Sequence, residues 1–481
     1  MNKKLHIYLI GIGGIGVGGL AEVLLSQGHS VFGEDLVENS VVQRLRQLGA
    51  HIHLDSDTLC WKTMDLIVYS AAVSPRQPVR LLAEKHDIPC LSRAQMLAQL
   101  VQDHKVIACT GTHGKTTTTS LMAHMLEEMN LNPGYFIGGR VASLAGLAHI
   151  GKGEWVVVEA DESDASFVSL KPKIAVITNV DPDHLENFPG GFKDIQAAFL
   201  EFIGRVESDG SVILCWDNAG ARSLLEHIQL PTYTYGFEEG ADVRILSYEQ
   251  KGLKGHVVVQ FPGEAPQSLV LALPGRHNAL NAVAAIMAVR FALGGSKESE
   301  RESENARIHR ALSNFVGVDR RMQVHGALPI AALTDKHEKD VQGHVLLLED
   351  YGHHPVELAV TLDAVQQAWP NRRVVWVFQP HRYTRTLAFL DDFADILRKA
   401  NEVVLLPVYA ASEDPSSGVD SEALAEQLQA RSDTACQVLS HRSLLTQALK
   451  SLLDDDDILI LQGAGNIGEN VLDLMQLCVA N

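Results

Sequence analysis

Paired cysteines, excess basic charge and long apolar runs are all missing from this chain. Its six cysteines (Cys60, Cys90, Cys109, Cys215, Cys436 and Cys478) form no CxxC pair, follow no regular spacing and sit mostly in apolar runs. That excludes a disulfide framework and reads as reduced core residues of a cytoplasmic protein. Acidic residues outnumber basic ones by 59 to 40, for a formal net charge of -19. Most of such a surface repels a phosphate polyanion, which excludes general nucleic-acid binding but leaves room for a basic pocket around a small anion. No segment approaches the roughly 18 uninterrupted apolar residues of a membrane span. The apolar N-terminal run is broken by glycines at 11, 13, 14, 16, 18 and 19, which argues against an export signal. No internal repeat of short fixed period is present.

With 481 residues, 46% of them hydrophobic, the chain is too long for one core and is expected to form roughly two to four domains. Short β-branched runs alternate with helical patterns almost throughout, which predicts an α/β fold of parallel sheets. A first block has strands near Leu5–Ile10, Ser30–Phe32, Leu66–Ser70 and Pro89–Leu91, and closes near His104. A second adds Trp155–Ala160, Ile174–Asn179 and β-like sequence at Val257–Phe261. The third has Val345–Leu348, Val374–Phe378, Val403–Pro407 and Ile458–Gln462. The expected domains are 1–104, 105–324 and 325–481. The charged stretch 294–307 reads as a solvated loop or helix face, and 334–343 reads as the link between the second and third blocks.

Thr110–Thr119, TGTHGKTTTT, directly follows the apolar run Val106–Cys109. A buried strand ending in a glycine turn and opening a helix presents N–H groups to an anion, with Lys115 as mobile cation and Thr116 as metal-binding hydroxyl. This is the outline of a nucleotide triphosphate site. Only Thr112 and His113 separate Gly111 from Gly114, so the loop is shorter than the usual phosphate loop.

Gly11-Ile12-Gly13-Gly14-Ile15-Gly16 also follows a strand and opens a helix, with Glu34 and Asp35 about 20 residues on, the context of a dinucleotide fingerprint. Alone it would suggest a nicotinamide dehydrogenase. The block ends too soon, however, and a pyrophosphate ligand such as a UDP-sugar satisfies the same donors. Gly463–Gly468 repeats the pattern near the C-terminus with no strand left to follow, and reads as a structural turn or one edge of a shared site.

Trp155–Ala160 leads into Glu159, Asp161, Glu162 and Asp164, acids at the edge of a parallel sheet where Mg2+ would meet phosphate oxygens. The next strand leads to Asn179, Asp183 and His184, and His184 is expected as a metal ligand. PGRHNALNA places His277, Asn278 and Asn281 at the start of an Ala-rich helix, where Asn278 could cap the helix or the group could meet adenine or ribose. Arg320 and Arg321 are suited to a phosphate or to structure. DYGHHP supplies Asp350, Tyr351, His353 and His354. FQPHRYTRT supplies His381, Arg382 and Arg385, a cationic group suited to a carboxylate.

TGTHGKTTTT, EADESDASF, TNVDPDH, PGRHNALNA, the RRM of Arg320–Met322, DYGHHPVE and FQPHRYTRT occur in the order found in the Mur ligases, ATP-dependent enzymes of peptidoglycan precursor synthesis. The chain resembles that family over nearly its whole length, and the short loop is the family's G-T-x-G-K-T form. The resemblance implies an N-terminal Rossmann-like UDP-sugar domain, a central P-loop ATPase domain and a C-terminal Rossmann-like amino-acid domain. It implies ATP and Mg2+ as cofactors, UDP-N-acetylmuramate and L-alanine as substrates, and a monomer or homodimer. A sibling that recycles murein tripeptide shares the loop but has EADEYD and DFAHHP, a poorer match. The implied ATP contacts are Gly111, Thr112, His113, Gly114, Lys115, Thr116, Thr117, His277, Asn278, Asn281, Arg321 and Asp350, with Thr116, Glu159 and His184 as metal ligands. Gly11, Gly13, Gly14, Ile15, Gly16, Asp35 and Ser70 would take the UDP-sugar. Tyr351, His381, Arg382 and Arg385 would face the amino acid, and Lys115, His353, Arg382 and Arg385 the chemistry.

Overall fold

The β-branched apolar runs become strands because parallel pairing buries both of their faces. The computed structural model describes residues 3–54, 63–70, 73–162, 166–183, 187–294, 298–333, 343–411 and 413–479, and in it the strands build three sheets. The first consists of β1 (His6–Ile10), β2 (Ser30–Glu34), β3 (His51–His53), β4 (Leu66–Tyr69) and β5 (Cys90–Ser92). They pair in parallel in the order β3-β2-β1-β4-β5. Strand order reverses beside β1, so the glycine loop that follows β1 lies where open α/β sheets receive ligands.

The second sheet contains β6 (Lys105–Thr110), β7 (Gly134–Phe136), β8 (Ala148–His149), β9 (Trp155–Glu159), β10 (Ile174–Ile177), β11 (Ser211–Cys215), β12 (Thr232–Gly236), β13 (Val243–Lys251), β14 (Lys254–Gln260) and β15 (Gln267–Leu271). Its order is β15-β14-β13-β12-β11-β10-β6-β9-β7-β8. β6 runs parallel between β10 and β9, so the segments after these three strands emerge side by side. The edges depart from the parallel pattern: β7 with β8 and β14 with β15 are antiparallel.

β16 (Gln323–Pro329), β17 (His344–Asp350), β18 (Val374–Phe378), β19 (Glu402–Leu405), β20 (Ala435–Val438) and β21 (Ile458–Gln462) form the third sheet, in the order β16-β17-β21-β18-β19-β20. Asp350 and Phe378 both register with Gln462, which aligns the loops after β17, β18 and β21. Because β16 pairs antiparallel with β17, the stretch 334–343 joins two neighbouring strands of one sheet instead of two blocks; residues 334–342 lie outside the described ones. The chain divides into two compact units, 1–249 with 254–318 and 250–253 with 319–481. That division precedes the boundary expected at 324, since β16 belongs to the third sheet.

Within the first unit, Glu22 on the helix Ile15–Ser26 pairs with Arg44 and accepts from the N–H of Leu147, 3.0 Å. This buried carboxylate ties the glycine-loop helix to the edge of the second sheet. The charged stretch 294–307 falls largely in the helix Glu298–Asn314, whose Ile308, Ala311 and Leu312 are buried and whose charged face is solvated. Among the described residues no helix is long and apolar enough to cross a membrane.

Candidate active site

The helix Lys115–Glu128 starts at Gly114 with no side-chain cap, which leaves its first-turn N–H groups for an anion; Thr117 lies half-buried in that turn. The loop is pinned from the neighbouring strand end. Asn179 accepts from the N–H of His113 at 2.7 Å, and the His113 carbonyl accepts from Thr178 Oγ1 at 2.7 Å and Asn179 Nδ2 at 2.9 Å. Thr112 Oγ1 accepts from the N–H of Asp181 at 2.9 Å. Gly111 and Gly114 have φ of 137° and 83°. A Cβ on Gly111 would strike Thr178 Oγ1, and one on Gly114 would lie 2.5 Å from Asn281 Oδ1, so the tight turn admits only glycine at both.

Lys115 Nζ donates to the Gly111 carbonyl at 2.7 Å and to Glu162 Oε1 at 2.9 Å, with Glu162 Oε2 at 2.8 Å. Burial alone would pull this ammonium down, but Glu162, Asp161 and Glu159 outweigh it and hold Lys115 well above its ordinary pKa. Glu159, at the end of β9, accepts from Thr116 Oγ1 at 2.9 Å and from the N–H of Gly138 at 2.6 Å. Thr116 and Glu159 thus converge as hard oxygen donors. Among the described residues no three His, Cys, Asp or Glu side chains gather into a ready-made metal site. Two protein oxygens beside a phosphate site suit Mg2+, which keeps waters and phosphate oxygens in its shell. His184 and Asp164 lie outside the described residues.

Asn278 is not the cap of the helix Arg276–Ala292; Gly275 holds that position. Asn278 Nδ2 instead donates to the Pro274 carbonyl at 2.7 Å, and its Oδ1 accepts from Asn281 Nδ2 at 3.1 Å. Both amides are buried, and the pair sets Asn281 against Gly114. His277 packs against Gly275 in the same turn.

In the first sheet the Gly11 and Ile12 N–H groups bond the Glu34 carbonyl, and Asp35 Oδ2 accepts from the N–H of Gly13 at 2.7 Å. Gly14 is an uncapped N-cap, so Ile15 and Gly16 begin the helix with donors facing outward. Ser70 Cβ would sit 3.5 Å from a Cβ on Gly11, which makes Ser70 the wall of that loop.

The second unit carries the other group. Tyr351, His353, His381 and Tyr409 form a row of rings with successive centroids 5.5, 5.3 and 5.5 Å apart. Arg385, buried, approaches His381 Nδ1 at 3.3 Å. Arg382 is held at φ 69°, its N–H bonded to the Tyr409 carbonyl at 2.9 Å. Tyr409 escaped the sequence reading, having no motif of its own. Glu162 figures there only as one acid of the sheet-edge cluster, which does not reveal its pairing with Lys115.

Asp350 is buried and accepts from the N–H groups of Met322 and Gly352 at 2.8 Å and from Gln462 Nε2 at 2.9 Å. It holds the Arg320–Met322 turn. Arg321 lies with its guanidinium 5.0 Å from the Tyr351 ring centroid and 3.6 Å from Glu357 Oε1. The Arg320 guanidinium is also 5.0 Å from that centroid, but its partners differ: Glu349 at 2.9 Å and the carbonyls of Gly463 and Gly465 at 2.8 and 3.2 Å. The carbonyls of Gly463 and Gly465 thus clasp Arg320.

Burial drives the His353 pKa down to about 4, against the pull of Glu357. The ring is neutral in the folded protein at pH 7. An unfolded chain takes up this proton below the ordinary 6.5, so stability falls as pH drops from about 6.5 toward 4. The expected penalty is at most about 3 kcal/mol. Melting curves of His353→Gln should show a flatter acid limb than those of the unsubstituted protein; equal slopes would refute this.

Family comparisons agree along the chain. Residues 6–105 match the Mur ligase family catalytic domain, 109–289 the Mur ligase middle domain and 334–465 the Mur ligase glutamate ligase domain. A UDP-N-acetylmuramate–L-alanine ligase of Legionella pneumophila is 41% identical over 99% of this chain and 97% of its own. The structure of UDP-N-acetylmuramate-alanine ligase from Thermotoga maritima superposes with a TM-score of 0.82 at 26% identity, covering 98% of each chain. A murein peptide ligase from Psychrobacter arcticus shares the fold, with a TM-score of 0.71 at 22% identity and 98% coverage of both chains. With its short phosphate loop, its adjoining acid edge and its three α/β sheets, the chain belongs to the Mur ligase family.

Proposed function

We propose that the chain joins L-alanine to the lactyl carboxylate of UDP-N-acetylmuramate, converting ATP to ADP and phosphate. Full-length identity of 41% to the Legionella L-alanine ligase carries this reading. The loop geometry around Lys115 supports its ATP-dependent half. The first sheet would bind the UDP-sugar, the second ATP and the third the amino acid, in a cytoplasmic monomer or homodimer without nucleic-acid or membrane partners.

A carboxylate is a poor electrophile, so its oxygen first attacks the γ phosphorus of ATP, the bond to the bridging oxygen breaks and ADP leaves. The amine nitrogen of alanine then adds to the acyl phosphate carbonyl. The tetrahedral intermediate expels phosphate, and the nitrogen loses its proton to solvent. Lys115 would neutralise the β and γ phosphates so that a second anion can approach. Mg2+, held by Thr116, Glu159 and His184, would supply further charge neutralisation. His277, Asn278, Asn281 and Arg321 would orient ATP, and Asp350 would act through the turn that carries Arg321. Gly11, Gly13, Gly14, Ile15 and Gly16 would take the pyrophosphate, flanked by Asp35 and Ser70. Arg382 and Arg385 would hold the alanine carboxylate beside Tyr351 and His381. His353, with its pKa near 4, is a weak base and would orient the amine more than deprotonate it.

ADP release by the purified protein should require both UDP-N-acetylmuramate and L-alanine. Turnover with L-alanyl-γ-D-glutamyl-meso-diaminopimelate but none with alanine would overturn the substrate assignment.

A further inference from the structure

Glu162 has no role in the chemistry above, yet it forms the ion pair of the phosphate-loop lysine. Both of its carboxylate oxygens lie within 2.9 Å of Lys115 Nζ. The Gly111 carbonyl at 2.7 Å and the Thr112 carbonyl at 3.4 Å take up the remaining donors. An ammonium has three N–H groups, and here each meets a protein oxygen. Glu162 is 4% exposed, so solvent does little to screen the pair. Glu159 stands apart from this contact, bonded to Thr116 and the N–H of Gly138. The two acids therefore divide the loop: one faces the hydroxyl beside the phosphate site, the other occupies the cation itself.

We infer that Glu162 is a stand-in for nucleotide phosphate, a positioning residue that holds Lys115 ready while the loop is empty and competes with phosphate for it. The inference rests on the reading of Lys115 as a phosphate ligand. An incoming phosphate must take Lys115 from Glu162 or share it, and either way it brings negative charge against a buried carboxylate. A nucleotide that carries its own divalent cation suffers less from that repulsion. The device thus favours the metal-bound nucleotide over the free one.

Calorimetric titration with ADP tests this, with EDTA and with Mg2+. Glu162→Gln keeps the shape and an acceptor oxygen but removes the charge. It is expected to bind metal-free ADP about tenfold more tightly than the unsubstituted protein, with a gain below about threefold in Mg2+. The gain should be clearly smaller in the Lys115→Ala background, where only the direct repulsion is left. A purely structural role for Glu162 would weaken binding or leave it unchanged, and either result overturns the inference. So does a gain of full size without Lys115, because competition for the lysine would then contribute nothing. If Lys115→Ala alone binds ADP as well as the unsubstituted protein, the reading of Lys115 falls and the inference with it. If Lys115→Ala is weak and Glu162→Gln is no tighter, only the inference falls. Should Glu162→Gln fail to fold, Glu162→Asp, which withdraws the carboxylate by one methylene, carries the same expectation in smaller degree.

Discussion

Lys115→Ala is expected to lose about a thousandfold or more in turnover, the scale on which a preorganised cation acts on a transferring phosphoryl group. Stability should fall as well, for a separate reason. Lys115 and Glu162 have side chains only 14% and 5% exposed, so deleting the lysine leaves a buried carboxylate without its cation. Breaking such a pair from one side costs about 3–5 kcal/mol, whereas removing both charges is far milder. The double variant Lys115→Ala/Glu162→Gln should therefore regain most of the lost melting temperature and none of the turnover. The two readouts separate binding chemistry from folding. Turnover within tenfold of the unsubstituted protein would remove Lys115 from the mechanism. A double variant no more stable than Lys115→Ala would mean that the pair does not act as a buried ion pair.

That contrast also marks where sequence stops being informative. Val374–Phe378 and Ile458–Gln462 were readable to the residue because each is a fully buried apolar run in the middle of a parallel sheet. The second sheet's far side was legible only as β-like sequence at 257–261, since Lys254–Gln260 alternates buried and half-exposed positions. Thr232–Gly236, with polar and aromatic residues in place of a Val/Ile run, and His51–His53 of the first sheet, with only three residues, were not readable. The site followed the same division. Residue types announced a phosphate loop, an acid edge and a cationic group, since chemistry selects those types. Partner choice was hidden: Glu159 and Glu162 are three residues apart, and only the path of the chain after β9 gives one to Thr116 and the other to Lys115. Asp350 offers another case. The family resemblance implies a nucleotide contact for it; its oxygens accept from Gly352 two residues on and, over long range, from Met322 and Gln462, and no local spacing reveals those two.

Adjacent arginines give the sharpest separation of structure from function. Arg320 and Met322 have φ of 62° and 47°, left-handed residues around Arg321; both guanidinium groups lie 5.0 Å from the Tyr351 centroid, but Arg320 pairs with Glu349 and Arg321 with Glu357. Arg320→Ala would strip the buried Glu349 of its arginine and leave it paired with His325, 2.9 Å away. It would also free the carbonyls of Gly463 and Gly465. Arg320 is 30% exposed, so the expected loss is about 2–3 kcal/mol, the lower side of the range for a broken buried pair. Hydrogen exchange should report it as faster opening of the amides of β17 and β21. Arg321→Ala should behave in the opposite way. Glu357 keeps the N–H groups of His353 and His354, at 2.8 and 3.1 Å, so exchange in the third sheet should barely change. If Arg321 orients ATP as proposed, turnover should nevertheless fall by about a hundredfold, the scale of removing one charged donor to a phosphoryl group. Equal stability losses in the two variants would contradict the division. So would an Arg321→Ala protein with full turnover, because the strained turn would then hold in place a side chain that the reaction does not use.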